Sequence, residues 1–222
     1  MNMEKDKTNK QEKSNCCEAG ENRALTKKEI EQQNKLLKNI LLGIGGFFLI
    51  ILFIILFLHY IRNFEYEGIK FSIENYCDAK PCLILYKTFI PVIYNGKSVP
   101  YNFYLRNDPR KLDNIEFDSE IVLLENMVIN MSDDIKCDSD EIIALANLLK
   151  LYEIIGTKVI KDENAGCDAQ GRYMFLNIQK GEDTNIIQTS PGCYELNVNN
   201  CEILKVTEKF MIKTFIEIEK IT

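Results

Sequence analysis

Between Lys38 and Arg62 the chain carries no charged residue. The stretch 39–61, NILLGIGGFFLIILFIILFLHYI, shows no polar stripe at helical spacing, so it does not read as the core helix of a soluble domain. As an α-helix it is ~34 Å long, enough to cross a hydrocarbon core of ~30 Å with some tilt. It is too long and too far from the start for a cleaved signal peptide, and no A-x-A-like site follows it. The pattern predicts a retained transmembrane helix. Gly43, Gly45 and Gly46 do not make G-x-x-x-G, so they define no dimer face. His59 and Tyr60 fall at the exit interface, where amphipathic rings are favoured.

Residues 1–38 form a polar tail. Its first part has almost nothing apolar to bury and is expected to be disordered. Thr26-Lys27-Lys28-Glu29 has the form of a capping box, so a helix is expected from about residue 26 into the membrane without a break. Ile30, Leu37 and Leu41 continue its apolar spacing. Cys16 and Cys17 are adjacent and read as reduced thiols, since two thiolates alone do not complete a tetrahedral metal site.

After the span the period changes from helical to alternating. Ile69–Ile73, Leu83–Tyr86 and Val92–Tyr94 read as strands, and Asn95-Gly96 is a hairpin turn returning through Val99–Leu105. Asn107-Asp108-Pro109 is a turn. Further strands are expected near Glu120–Leu124 and Met127–Met131, giving an antiparallel meander over 62–131. In 132–222, Asp138 or Ser139 caps a helix with body Ile142–Ile155, stopped by Gly156. Its narrow polar stripe predicts that it is the centre of the core. Thr157–Lys161 then completes a β-α-β unit with Met127–Met131. Arg172–Gln179 and Ile186–Thr189 read as a hairpin across Gly181, and Tyr194–Val198 as another strand. Leu204, Thr207, Met211, Phe215 and Ile218 predict a C-terminal amphipathic helix capped by Asn200. The fold class is α+β: a strand-rich first half, then helix, strand, strands and helix, on one N-terminal anchor.

Charge decides the orientation. Lys27, Lys28, Lys35 and Lys38 lie before the span, Arg62 and Lys70 close after it. The positive-inside rule puts the tail in the cytoplasm and 62–222 outside, in the cell membrane as a single-pass protein. The net charge of −6, with no basic stripe, excludes nucleic acid as a partner. The bilayer is a partner, and an envelope protein is a second candidate. Asn130-Met131-Ser132 is an N-glycosylation sequon that requires the outside location.

Cys77, Cys82, Cys137, Cys167, Cys193 and Cys201 all lie after the span. Their even number in an exported domain reads as disulfides. The favoured connectivity is Cys77–Cys82, Cys193–Cys201 and Cys137–Cys167. No second close cysteine pair or histidine follows to make a zinc site, so no metal and no cofactor are expected. There is no C-x-x-C, although Cys137 and Cys201 precede predicted helices, where a thiolate is favoured. The lack of histidine after the span removes Ser-His-Asp and Cys-His systems, and the acids at 133–141 lack the EF-hand pattern. The 162–171 loop joins two strands, not a strand to a helix, so it is not a phosphate loop.

The runs 101–113 (YNFYLRNDPRKLD), 155–173 (IGTKVIKDENAGCDAQGRY) and 193–204 (CYELNVNNCEIL) resemble small single-pass membrane proteins of small-genome archaea. That group has no assigned function, so the resemblance implies an anchored outside domain and carries over no catalytic residue. The expectation is a non-enzymatic binding or envelope-scaffold module, with loops Asp162–Gln170 and Thr189–Cys193 as its surface. The alternative is a membrane-anchored thiol–disulfide exchange enzyme.

Overall fold

The computed structural model describes residues 27–77, 81–160, 162 and 164–221; for Glu29 it describes the backbone alone. The expectations for residues 1–26, including Cys16, Cys17 and Thr26 of the capping box, lie outside the described residues. The chain divides into two compact units, Met1–Ile55 and Leu56–Thr222.

Helix α1 runs from Lys27 to Arg62 without a break. Its apolar side chains lie open along the span, Leu41 at 70% and Leu49 at 68% exposure, as lipid-facing groups do and core groups do not. Among the described residues it is the one helix long and apolar enough to cross a membrane.

Strand β1 (Asn63–Tyr66) follows α1 directly, then β2 (Ile69–Tyr76), β3 (Leu83–Tyr94) and β4 (Lys97–Leu105). They pair antiparallel in chain order as a four-stranded meander. The sequence reading missed β1. Its signal was Glu67-Gly68, a two-residue turn with both φ positive, as at Asn95-Gly96. Leu83–Tyr86 and Val92–Tyr94 belong to one long strand. Asp108 then caps a 3₁₀ turn, Pro109–Asn114, accepting from Arg110 N.

The second sheet holds β5 (Asn126–Met131), β6 (Lys158–Ile160), β7 (Met174–Lys180), β8 (Asn185–Ser190) and β9 (Cys193–Val198), in the order β6-β5-β7-β9-β8. Strands β5, β6, β7 and β9 run parallel, and β8 closes the edge antiparallel. The expected β7–β8 hairpin is not formed: β9 lies between them. Strand β9 buries Tyr194, Leu196 and Val198, whereas β8 buries Ile186 alone, so the more apolar strand takes the inner place. Glu120–Leu124 is also no strand. Its backbone is held by the Tyr194 hydroxyl, which accepts from Val122 N at 2.7 Å and donates to Glu120 O at 3.1 Å.

Helices α2 (Ser139–Ile154) and α3 (Ile203–Ile221) supply the core. Gly156 ends α2 at φ 87°, as expected. Its start differs: Asp138 sits at positive φ with no side-chain cap, and Glu141 reaches back to accept from Cys137 N at 3.0 Å. Asn200 does not cap α3 either. Asn200 and Cys201 are both left-handed, which delays the helix to Ile203. The centre of the core is α3, not α2. Ile142 and Leu149 of α2 are exposed, while α3 buries residues around its whole circumference. It packs against β2, β8, β9, α2 and the 3₁₀ turn, so both sheets share one core.

Three disulfides staple the domain: Cys77–Cys82, Cys137–Cys201 and Cys167–Cys193. The favoured Cys193–Cys201 and Cys137–Cys167 pairings are corrected. Cys193 starts β9 and Cys201 follows its end, so a whole strand separates them. Disulfides persist in oxidising compartments. With the lysines before the span, they place the protein as a single-pass anchor with its α+β domain outside.

Candidate functional site

The two loops singled out from the sequence meet. Cys167 is bonded to Cys193, its sulfur lies 2.8 Å from Ser190 Oγ, and Tyr173 OH donates to Gly166 O at 2.7 Å. Asp168 shapes the first loop by accepting from the backbone N–H of Arg172 and Gln170 and, through both oxygens, from the Arg172 guanidinium. That guanidinium, then the Arg172 backbone N–H, pulls its carboxyl down to about 2. Gly192, at φ 77°, lets the second loop turn under Leu124, whose Cδ1 would stand 3.2 Å from an added Cβ.

These loops bear on one face of the five-stranded sheet. Met127, Met174, Leu176, Ile178, Tyr194 and Leu196 pack towards the helices in the main core. The alternate positions Val128, Phe175 and Cys193 point the other way and are covered by Ala165 and Tyr173 of the loop. Further along the strands the same alternation gives Asn177, Gln179, Glu195 and Asn197, with Asn185 on the edge strand. They form a continuous network. Asn177 Nδ2 donates to Gln179 Oε1 at 2.8 Å, Gln179 Nε2 to Asn197 Oδ1 at 3.0 Å and to Glu195 Oε2 at 3.4 Å, and Asn197 Nδ2 to Asn185 Oδ1 at 2.8 Å. Gly181 closes against this row: an added Cβ would fall 2.7 Å from Asn197 Cβ. The sequon residue Asn130 is exposed on the same face, in register with Asn177.

A second polar site is buried. Glu208, in mid-α3, accepts from the backbone N–H of Arg106 at 2.6 Å and of Asn107 at 2.9 Å, and from Asn107 Nδ2 at 2.8 Å. Burial raises its pKa to about 7 against the pull of those donors. Next to it Lys209 donates to Asp113, which also accepts from Tyr66 OH. Both residues join α3 to the first sheet and its following turn. Sequence reasoning missed them, because a Glu-Lys pair in an amphipathic pattern reads as its solvent side.

Among the described residues no group of three His, Cys, Asp or Glu is placed to hold a metal ion. The network donates and accepts hydrogen bonds, and Glu195 is its one ionisable group. Comparison with protein-family models, with curated proteins and with solved structures finds no match.

Proposed function

We propose that the chain is a membrane-anchored binding module that holds an envelope protein against the helix-free face of its five-stranded sheet. The carrying observation is the amide network Asn177–Gln179–Asn197–Asn185 with Glu195, set on a face that neither helix covers. Amides donate and accept at once and carry no charge, so they match a partner that presents backbone and side-chain amides. The stapled loop pair borders the face and limits its movement. A photo-crosslinking residue placed at Asn177 or Glu195 of the full chain in native membranes tests the reading. A single crosslinked species from both positions, absent from Ile142 on the exposed side of α2, supports it. Equal or absent crosslinking at all three positions ends it.

Thiol–disulfide exchange is the second reading, favoured by one observation. Cys137 and Cys201, bonded to each other, each lie two residues before the first residue of α2 and α3. Helix starts favour thiolates. In this reading a substrate dithiol is oxidised to a disulfide as Cys137–Cys201 is reduced to two thiols, with two electrons and two protons transferred. Selective reduction of this bond over Cys167–Cys193 by a dithiol peptide supports it, and equal resistance of both removes it.

A further inference from the structure

Strand β2 pairs with β1 only as far as Ser72, the partner of Asn63. Strand β3 pairs with β4 only from Tyr86, the partner of Leu105. Beyond these levels β2 and β3 continue alone, from Glu74↔Leu85 to Tyr76↔Leu83. Tyr76 lies three residues past Ile73, which is level with Tyr86 and Leu105, so this two-stranded ribbon projects ~10 Å beyond the body of the sheet. The Cys77–Cys82 bond closes its stem.

The ribbon leaves the sheet at a particular edge. Asn63, level with Ser72, follows directly on Arg62, the last residue of α1. No linker separates the membrane helix from the sheet. Strand β1 runs away from the level where the chain leaves the helix, and β2 returns through that level and past it. The projecting end is therefore the end of the sheet at which the chain passes from Arg62 into β1.

Its side chains fit that place. Tyr76 is 45% exposed, Leu83 42% and Ile84 46%, on a ribbon too thin to bury them in a core of its own. Glu74 is neutralised there by Lys87 at 2.9 Å and accepts from Tyr76 OH at 2.8 Å. The sequence between the two cysteines, Asp-Ala-Lys-Pro, carries one charge of each sign. Contact through apolar groups and an interfacial tyrosine is thus favoured over contact through charge. Tyr60 and Ile61 of α1 also line a cleft with Phe71 and Phe89, on the meander's side of this junction.

We propose that the tip of the β2–β3 ribbon is a second membrane contact: Tyr76, Leu83 and Ile84 enter the interfacial layer of the bilayer that α1 crosses. The hairpin tip at the far end of β3 is the internal control, because Ile93 there is 76% exposed yet stands on the opposite side of the sheet body.

The chain contains no tryptophan, so one introduced indole reports alone. The full chains Leu83→Trp, Ile84→Trp, Ile93→Trp and Ile187→Trp are reconstituted into phosphatidylcholine vesicles with brominated acyl chains. The expected result is blue-shifted emission and at least twofold quenching at positions 83 and 84, with neither at 93 or 187. Quenching at 83 and 84 no greater than at 93 overturns the proposal. Tyr76→Trp, the conservative change, provides the same reading where a substitution at 83 or 84 disturbs folding, as judged by intact-mass counting of the disulfides.

Discussion

Glu208 and Asn107 are joined by two hydrogen bonds although they lie 101 residues apart: one Glu208 oxygen accepts both the backbone and the side-chain N–H of Asn107. The other oxygen takes the N–H of Arg106. The end of β4 has thus lost its ladder partners and is completed by a carboxyl group from the central helix. This contact ties the meander to the helix that also carries the second sheet.

The pH dependence follows from that geometry. Burial raises the Glu208 pKa from 4.5 to about 7, so the native state keeps this proton to higher pH than the unfolded chain. The stability it contributes is complete below pH 4.5, declines from there to 7 and is lost above, a fall of about 3 kcal/mol. Urea unfolding of the domain between pH 5 and 8 is expected to show the fall, and Glu208→Gln to flatten it. Parallel profiles for the two proteins count against the assignment. Glu208→Ala leaves two backbone N–H groups unpaired and costs about 2–4 kcal/mol.

Phe210 sets the position of the core. Its ring lies 5.2 Å from that of Tyr194, 6.3 Å from Phe117 and 6.5 Å from Tyr152, so it touches the sheet, the segment after the 3₁₀ turn and α2 together. Phe210→Ala should cost about 3–5 kcal/mol. Ile142→Ala, on the helix that the sequence marked as central, should stay within about 0.5 kcal/mol, because Ile142 is 66% exposed. Equal losses in denaturant midpoint would show that α2, not α3, is the centre.

What could be read from the sequence was local. Alternation at Ile69–Ile73, the Asn95-Gly96 turn and the Gly156 stop each depend on neighbours within a few residues, and each element formed where its pattern lies. Strand order was not local. Tyr194–Val198 displaced Ile186–Thr189 from the side of β7 because of what it buries against α3, and that choice also decided the cysteine partners. The same limit hid the candidate site. Asn177, Gln179, Glu195 and Asn197 are alternate polar positions in two strands, visible as such, but they become one face only when β7 and β9 are neighbours. Glu208 and Lys209 misled for the opposite reason: their partners Arg106, Asn107 and Asp113 lie far back in the chain.

The three disulfides should differ in worth according to the chain each closes. Their separations are 5 residues for Cys77–Cys82, 26 for Cys167–Cys193 and 64 for Cys137–Cys201. Loop-closure entropy gives about 2, about 3.5 and about 4 kcal/mol in that order. Replacing each pair with alanines and measuring unfolding free energy should reproduce the order. If the Cys77–Cys82 pair proves the costliest to remove, the ribbon contributes more to the native state than its position at the edge of the sheet implies.

Asp168 should respond to acid in the opposite sense to Glu208. Its carboxyl is held down to about 2 by Arg172, so the loop contribution is present above the ordinary carboxylate value near 3.8 and is lost only as the pH falls through about 2. Amide hydrogen exchange at Gln170 and Arg172, whose N–H groups donate to Asp168, should stay protected at pH 4. Asp168→Asn keeps one acceptor but loses the charge that aligns the guanidinium, so protection of both amides should drop at every pH. The Cys167–Cys193 bond keeps the loop on the sheet in that variant, so the β7 and β9 amides should remain protected. Loss of protection across β7 as well would mean that Asp168 supports the sheet itself and not the loop alone.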